Sequence, residues 1–227
     1  MAPKRLKTPS LLDVLFSIIV EPNSTTQRLL SITPPPHIFT TLFLFLCVCI
    51  APPLAQVGSK VPNTDIHQVI PAILTVILTF IFTTIFARTA LTAFQANCSL
   101  LAVGSNLVYA CAPLITLMVV VLAANQAISG ELSLLTFLGT GSADNADVVV
   151  GTYPLIFRIA MVLCLAVLSC GYSSLTRASL FPGVLMAAGT IPLILGSLVV
   201  ALTLIDVVIP DASIGTIRFL ETFLLWP

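Results

Sequence analysis

Residues 183–209 read GVLMAAGTIPLILGSLVVALTLIDVVI, a run whose single ionisable side chain is Asp206. A helix rises about 1.5 Å per residue, so about 20 apolar residues cross the hydrocarbon core of a bilayer. This run is longer than that. It has no polar face to turn towards water, as an amphipathic helix of a soluble domain would. Its composition predicts a helix surrounded by lipid.

Four more stretches read the same way, over about 38–57, 69–86, 98–124 and 153–170. The first contains FTTLFLFLCVCIAPPLAQV, and its Pro52-Pro53 pair should kink or end it, because proline cannot donate to the helical ladder. The third contains Gly104 and Pro113, and the last Pro192 and Gly196. Membrane helices tolerate such residues where neighbours satisfy the freed backbone groups. The sequence therefore predicts an all-α integral membrane protein, a five-transmembrane-helix bundle over residues 38–209. It would be preceded by an N-terminal segment, 1–37, and followed by a short tail, 210–227. Composition agrees: 58% of the 227 residues are hydrophobic and 8% charged, against about 25% charged in soluble domains. The formal net charge is zero, which argues against a nucleic-acid partner and leaves the lipid bilayer as the first one.

The N-terminal segment opens with MAPKRLK and continues SLLDVLFSIIVEP. No early apolar run or Ala-x-Ala site marks a cleaved secretory signal, so the first span is expected to direct insertion. Leu11, Leu12, Leu15, Phe16, Ile18 and Ile19 crowd one side of a helix too short to cross, with Asp13 and Ser17 elsewhere. Such a helix fits the headgroup region as an N-terminal interfacial amphipathic helix. A plain core helix packed under the bundle has equal claim on these residues. Sidedness follows from the basic residues. With a cytoplasmic N-terminus, Lys4, Arg5, Lys7, Arg28, Arg88 and Arg177 lie inside, and Lys60 and Arg218 outside. Five crossings then put the C-terminus on the opposite side. A bacterial inner membrane is the first expectation for location, an organelle membrane the second.

Three features resemble the Yip1-domain family in its short prokaryotic form. One is the opening, LLDVLFSIIVEPNSTTQRLL followed by Pro34-Pro35-Pro36 and the first span. The second is RTALTAFQANCSLLAVGSNLVYACAPLITL, similar to the family's connection from the second to the third helix, with a Tyr-Ala-x-x-Pro-like segment at Tyr109, Ala110 and Pro113. The third is the five-helix count with a cytoplasmic N-terminus. The resemblance implies a membrane adaptor in trafficking, or an accessory subunit of an export system, and no catalytic centre. The acidic N-terminal extension and the Asp-Leu-Tyr-Gly-Pro motif of eukaryotic members are missing, so their Rab-GTPase partnership is not carried over.

Side chains that could carry chemistry are few. Cys47, Cys49, Cys98, Cys111, Cys164 and Cys170 form no C-x-x-C pair and have no histidine at metal spacing, so they read as small apolar residues. His37 and His67 stand alone, and neither a nucleophile elbow nor a phosphate-binding loop occurs. No catalytic, metal or cofactor residue is assigned, and the chain is not expected to be an enzyme. Arg158 and Asp206 are the ionisable residues well within spans, near the same membrane face, and are expected to pair or to reach the headgroups. Thr75, Thr79, Thr83, Asn106 and Pro113 are candidates for helix packing or for a polar path. The expectation is thus a non-catalytic adaptor or accessory subunit that binds another integral membrane protein. The alternative is a small transporter or channel subunit with a polar path through the bundle.

Overall fold

A computed structural model of the chain describes residues 9–32, 34–47, 69–93, 96, 98–129, 143–210 and 217. Most of these residues are helical, with no strand among them. The helices are α1 (Leu11–Val20), α2 (Pro22–Ser31), α3 (Ile38–Cys47), α4 (Val69–Ala93), α5 (Leu100–Ala110), α6 (Ala112–Ser129), α7 (Ala143–Thr176) and α8 (Leu180–Val208). Four spans are long and apolar enough to cross a membrane: Ile70–Ala93, Leu100–Val120, Arg158–Thr176 and Leu180–Val208. This is consistent with a multi-pass membrane protein. Of the expected first span, 38–57, the described part is the ten-residue α3; its Pro52-Pro53 pair lies outside the described residues.

Helix ends follow local chemistry more closely than hydropathy. The second span was expected to stop at residue 86, but α4 continues to Ala93. In that extension Thr89 and Thr92 turn their hydroxyls back onto the helix, donating to the carbonyls of Ile85 (2.9 Å) and Arg88 (3.0 Å). The third span was expected to be one helix through Pro113. It is interrupted at Cys111, whose N–H bonds Val108 O at 3.1 Å. Pro113 has no N–H to give Tyr109, and its ring crowds that carbonyl. The fourth helix starts at Ala143, well before the expected residue 153.

The bundle is organised around the third span, 78% of which is buried, against 33% for α4, 39% for α7 and 17% for α8. α5 and α6 run along α7; α4 packs on α5 and α8, and α7 on α8. Cys98, at the head of the third span, donates its thiol to Leu175 O at 3.6 Å, and Asn106 reaches Leu168, so α5 and α7 are antiparallel. The α7–α8 turn is three residues long. Arg177 closes α7 in the left-handed region at φ 54°. Ser173 donates to Ala178 O at 2.7 Å to hold the turn. At Gly183 a Cβ would lie 2.4 Å from Ser169 O, so glycine is what lets α8 return this closely.

The N-terminal segment folds as a helical hairpin against the flank of this bundle. Ser10 and Asp13 form a capping box: Asp13 N–H donates to Ser10 Oγ (3.1 Å) and Ser10 N–H to Asp13 Oδ2 (3.2 Å). Pro22 sits at the start of α2, where its missing N–H costs nothing. α1 packs on α6 and α2, and α2 on α7 and α5. His37, in the left-handed region at φ 57°, ties the base of the hairpin with Nε2 2.8 Å from Pro9 O.

Candidate functional site

Two polar regions stand out from the apolar helices: one inside the bundle, one on the N-terminal hairpin. The inner region starts at Asn106. Its residue is fully buried, its Nδ2 donates to Leu168 O at 3.4 Å, and its Oδ1 finds no hydrogen-bond partner among the described residues. That oxygen rests on Gly171 of α7, where a Cβ would come within 1.6 Å of it. The amide is thus held between α5 and α7 by one hydrogen bond and by the absence of a side chain opposite. One turn along, Tyr172 is buried beside α8, its hydroxyl 3.0 Å from Thr190 Oγ1. Thr190 spends its own proton on Met186 O at 2.9 Å, so Tyr172 is the donor of the pair.

The helix 4 threonines lie at four-residue spacing on one side of α4. Thr75 is buried and donates to Pro71 O at 2.8 Å, the usual return bond of a hydroxyl inside a helix. Thr79 and Thr83 make no such bond, and their Oγ1 atoms are buried without a partner among the described residues. The neighbouring Thr84 meets Gly104 of α5, its Cγ2 3.4 Å from where a glycine Cβ would stand. Pro113 is buried at the start of α6. Asn106 therefore faces α7, whereas Thr84 is the α4 hydroxyl that touches α5, two residues before Asn106.

Arg158 is exposed on α7, and Asp206 is half-buried in the last turn of α8. Both lie away from the 177–179 turn, at the same end of the α7–α8 hairpin. Among the described residues no three His, Cys, Asp or Glu side chains gather as a metal site. The described cysteines, Cys47, Cys98, Cys111, Cys164 and Cys170, are free thiols.

The outer region is an open groove between α1 and α2, of about 920 Å³, lined from the α1 side by Asp13, Phe16, Ser17 and Val20 and from the α2 side by Ser24, Thr25 and Arg28. α1 divides its surface in three. Val14, Leu15 and Ile18 are buried in the core; Leu12, Phe16 and Val20 are exposed apolar residues; Asp13 and Ser17 are exposed polar ones, and Phe16 and Val20 line the groove with them. Ser10 and then Arg28 hold the Asp13 carboxyl below the usual carboxylate range. The hairpin is fastened well along the third span. Tyr109 donates to Pro36 O at 2.6 Å, and the Thr116 hydroxyl lies 3.4 Å from Leu15 O.

Sequence reasoning picked out Asn106 and the threonines by their polarity within apolar runs. It passed over Gly171, Tyr172 and Tyr109–Pro36. A tyrosine in a span was the available signal, since a buried phenol needs a hydrogen-bond partner. The second hairpin helix, α2, was also missed, although Pro22 after a helix-ending Glu21 marks its start. No family model, curated protein or solved structure matches the chain.

Proposed function

We propose that the chain is a non-catalytic membrane adaptor or accessory subunit, of the Yip1 type, that binds another integral membrane protein. The observation that carries this reading is the outward face of α8. Gly189 and Gly196 are exposed there, seven residues apart, with nothing within 4 Å of where a Cβ would be, and Pro192 between them is exposed too. A glycine gains nothing from facing lipid tails, whereas it lets a second helix backbone approach closely. α8 is also the least buried of the four spans. On this reading the N-terminus is cytoplasmic, five segments cross and the C-terminus is on the opposite side, in a bacterial inner membrane or else an organelle membrane. Trafficking and export are the settings that the family resemblance suggests.

Co-purification in mild detergent with mass spectrometry tests the proposal. A stoichiometric membrane-protein partner is expected, lost from Gly189→Leu and Gly196→Leu while the chain itself still folds. A preparation that stays alone and passes solute across liposomes would favour the second reading, a small transporter or channel subunit. That reading draws on the unpartnered hydroxyls of Thr79 and Thr83 and on Asn106 Oδ1.

A further inference from the structure

We infer that the end of the bundle carrying Arg88 and Arg177 binds anionic phospholipid, of the phosphatidylglycerol class, in preference to zwitterionic lipid. This stands apart from the adaptor reading and needs only that the four long apolar helices sit in a bilayer.

Three spans have a limit at this end. The third begins at Leu100, the α7 span stops at Thr176, and the α8 span begins at Leu180. Two hydrogen bonds bring Arg88 to the same level. Its Nε donates to Cys98 O at 3.4 Å, and the Cys98 thiol donates to Leu175 O at 3.6 Å. Apolar content carries the α4 span on to Ala93, but the Arg88 guanidinium is held where the neighbouring spans end. Arg177 follows Leu175 by two residues, at the α7–α8 turn. Both arginines are exposed. A guanidinium at the limit of a span lies at the depth of the lipid phosphates.

The chain gives these charges no counter-charge. Its sequence has no Asp or Glu between Asp65 and Glu131, nor between Asp147 and Asp206. The end of α4 and the α7–α8 turn therefore carry two cations and no carboxylate, and no ion pair holds either arginine among the described residues. A guanidinium has five N–H donors. Arg88 spends one on Cys98 O, which leaves its two terminal amino groups for a phosphate diester. Each arginine can take a phosphate of its own, so no single headgroup has to bridge them.

Apolar surface begins beside both. Leu100 and Leu101 open α5 at 44% and 48% exposure, and Leu180 and Phe181 open α8 at 54% and 71%. A lipid held by its phosphate lays its tails on these side chains. An acidic protein segment arriving from water would leave them unused. Charge then chooses among lipids. A zwitterionic headgroup brings an ammonium beside the arginines, where no carboxylate receives it. An anionic headgroup brings the phosphate without it.

Native mass spectrometry of the full chain in detergent tests this, with phosphatidylglycerol, phosphatidylethanolamine and phosphatidylcholine of identical acyl chains in equal amounts. Phosphatidylglycerol should be retained over both others. Arg88→Gln and Arg177→Asn should each reduce that preference about fivefold, the share of one basic residue at an anionic surface. Glutamine can still donate to Cys98 O, and asparagine suits the left-handed backbone at position 177. Should Arg88→Gln lower the thermal midpoint, Arg177→Asn carries the test alone. Arg28→Gln should leave the preference as it is, because Arg28 already acts on the Asp13 carboxylate. Equal retention of the three lipids by the unaltered chain would overturn the inference. So would a preference that survives in the Arg88→Gln, Arg177→Asn double variant, which would place the lipid on other basic residues. Displacement by soluble glycerophosphoglycerol at matched concentration would overturn it too, since the tails would then contribute nothing. A co-purifying protein lost from the double variant, with no preference among lipids, would assign the arginines to an acidic partner instead.

Discussion

Four glycines in apolar helices look alike in sequence and differ entirely in place. Gly171 sits under the Asn106 amide, and Gly183 sits on the backbone of α7, whereas Gly189 and Gly196 face outwards with open space. Alanine at each position separates these roles. Gly171→Ala must push the Asn106 amide away from Leu168 O, leaving a buried amide with no bond, and should cost about 1–3 kcal/mol as an overpacked site. Gly183→Ala meets a carbonyl oxygen that cannot rotate away, so α8 itself must shift and the loss should be at least as large. Gly189→Ala and Gly196→Ala should be neutral or stabilising by about 0.5–1 kcal/mol, the ordinary gain of alanine over glycine within a helix. Thermal midpoints of the detergent-solubilised variants check the ranking. A destabilised Gly196→Ala beside an unaffected Gly171→Ala would refute the packing described here. Joining Asn106→Ala to Gly171→Ala should restore much of the loss, because the clash is with that one side chain.

At the scale of the element, α1 is held by its start. The Ser10–Asp13 box satisfies two backbone donors that a ten-residue helix would otherwise leave to water. Ser10 and Arg28 lower the Asp13 carboxyl below its ordinary value of 3.8. A carboxylate depressed on folding contributes stability that is fully present above the unfolded value and is lost as pH falls through the folded one. Acidification below about pH 4 should therefore fray the first turn of α1, while neutral and mildly acidic conditions leave it intact. The carboxyl carbon shift of Asp13, titrated by NMR, should show its midpoint returning towards 3.8 in Ser10→Ala. An identical midpoint in both proteins would remove the cap from the account. The elements also show how far the sequence could be read. Four of the long apolar runs are helices in the structure, because run length and apolar content decide that matter alone. Their ends were not legible, since α4 runs on through the polar Arg88 and Thr89 past its apolar stretch, and Pro113 splits the third span through one missing N–H. The paired contacts escaped for another reason: nothing in the order of residues says that Asn106 will meet Gly171, sixty-five positions later.

For the whole molecule, the placing of the N-terminal hairpin sets a condition on the surrounding bilayer. Tyr109 and Thr116, which fasten it, lie roughly 14 Å and 24 Å along the third span from Leu100 at about 1.5 Å per residue. The hydrocarbon core is about 30 Å thick, so the polar strip of Ser10, Asp13 and Ser17 runs beside the span and not beyond its Cys98 end. Charged and hydroxyl groups left in hydrocarbon would be costly, and irregular or polar structure at that depth persists where water or headgroups reach it. Water should therefore follow the groove along the flank of the bundle. In a cysteine-free background, Ser17→Cys should react in intact vesicles with a membrane-impermeant thiol reagent. Leu101→Cys, an exposed apolar position on the third span, should react only with a permeant one. Protection of Ser17→Cys from the impermeant reagent on both sides would mean that protein, and neither water nor lipid headgroups, covers the strip; the partner sought on α8 would then have to be sought on the hairpin as well.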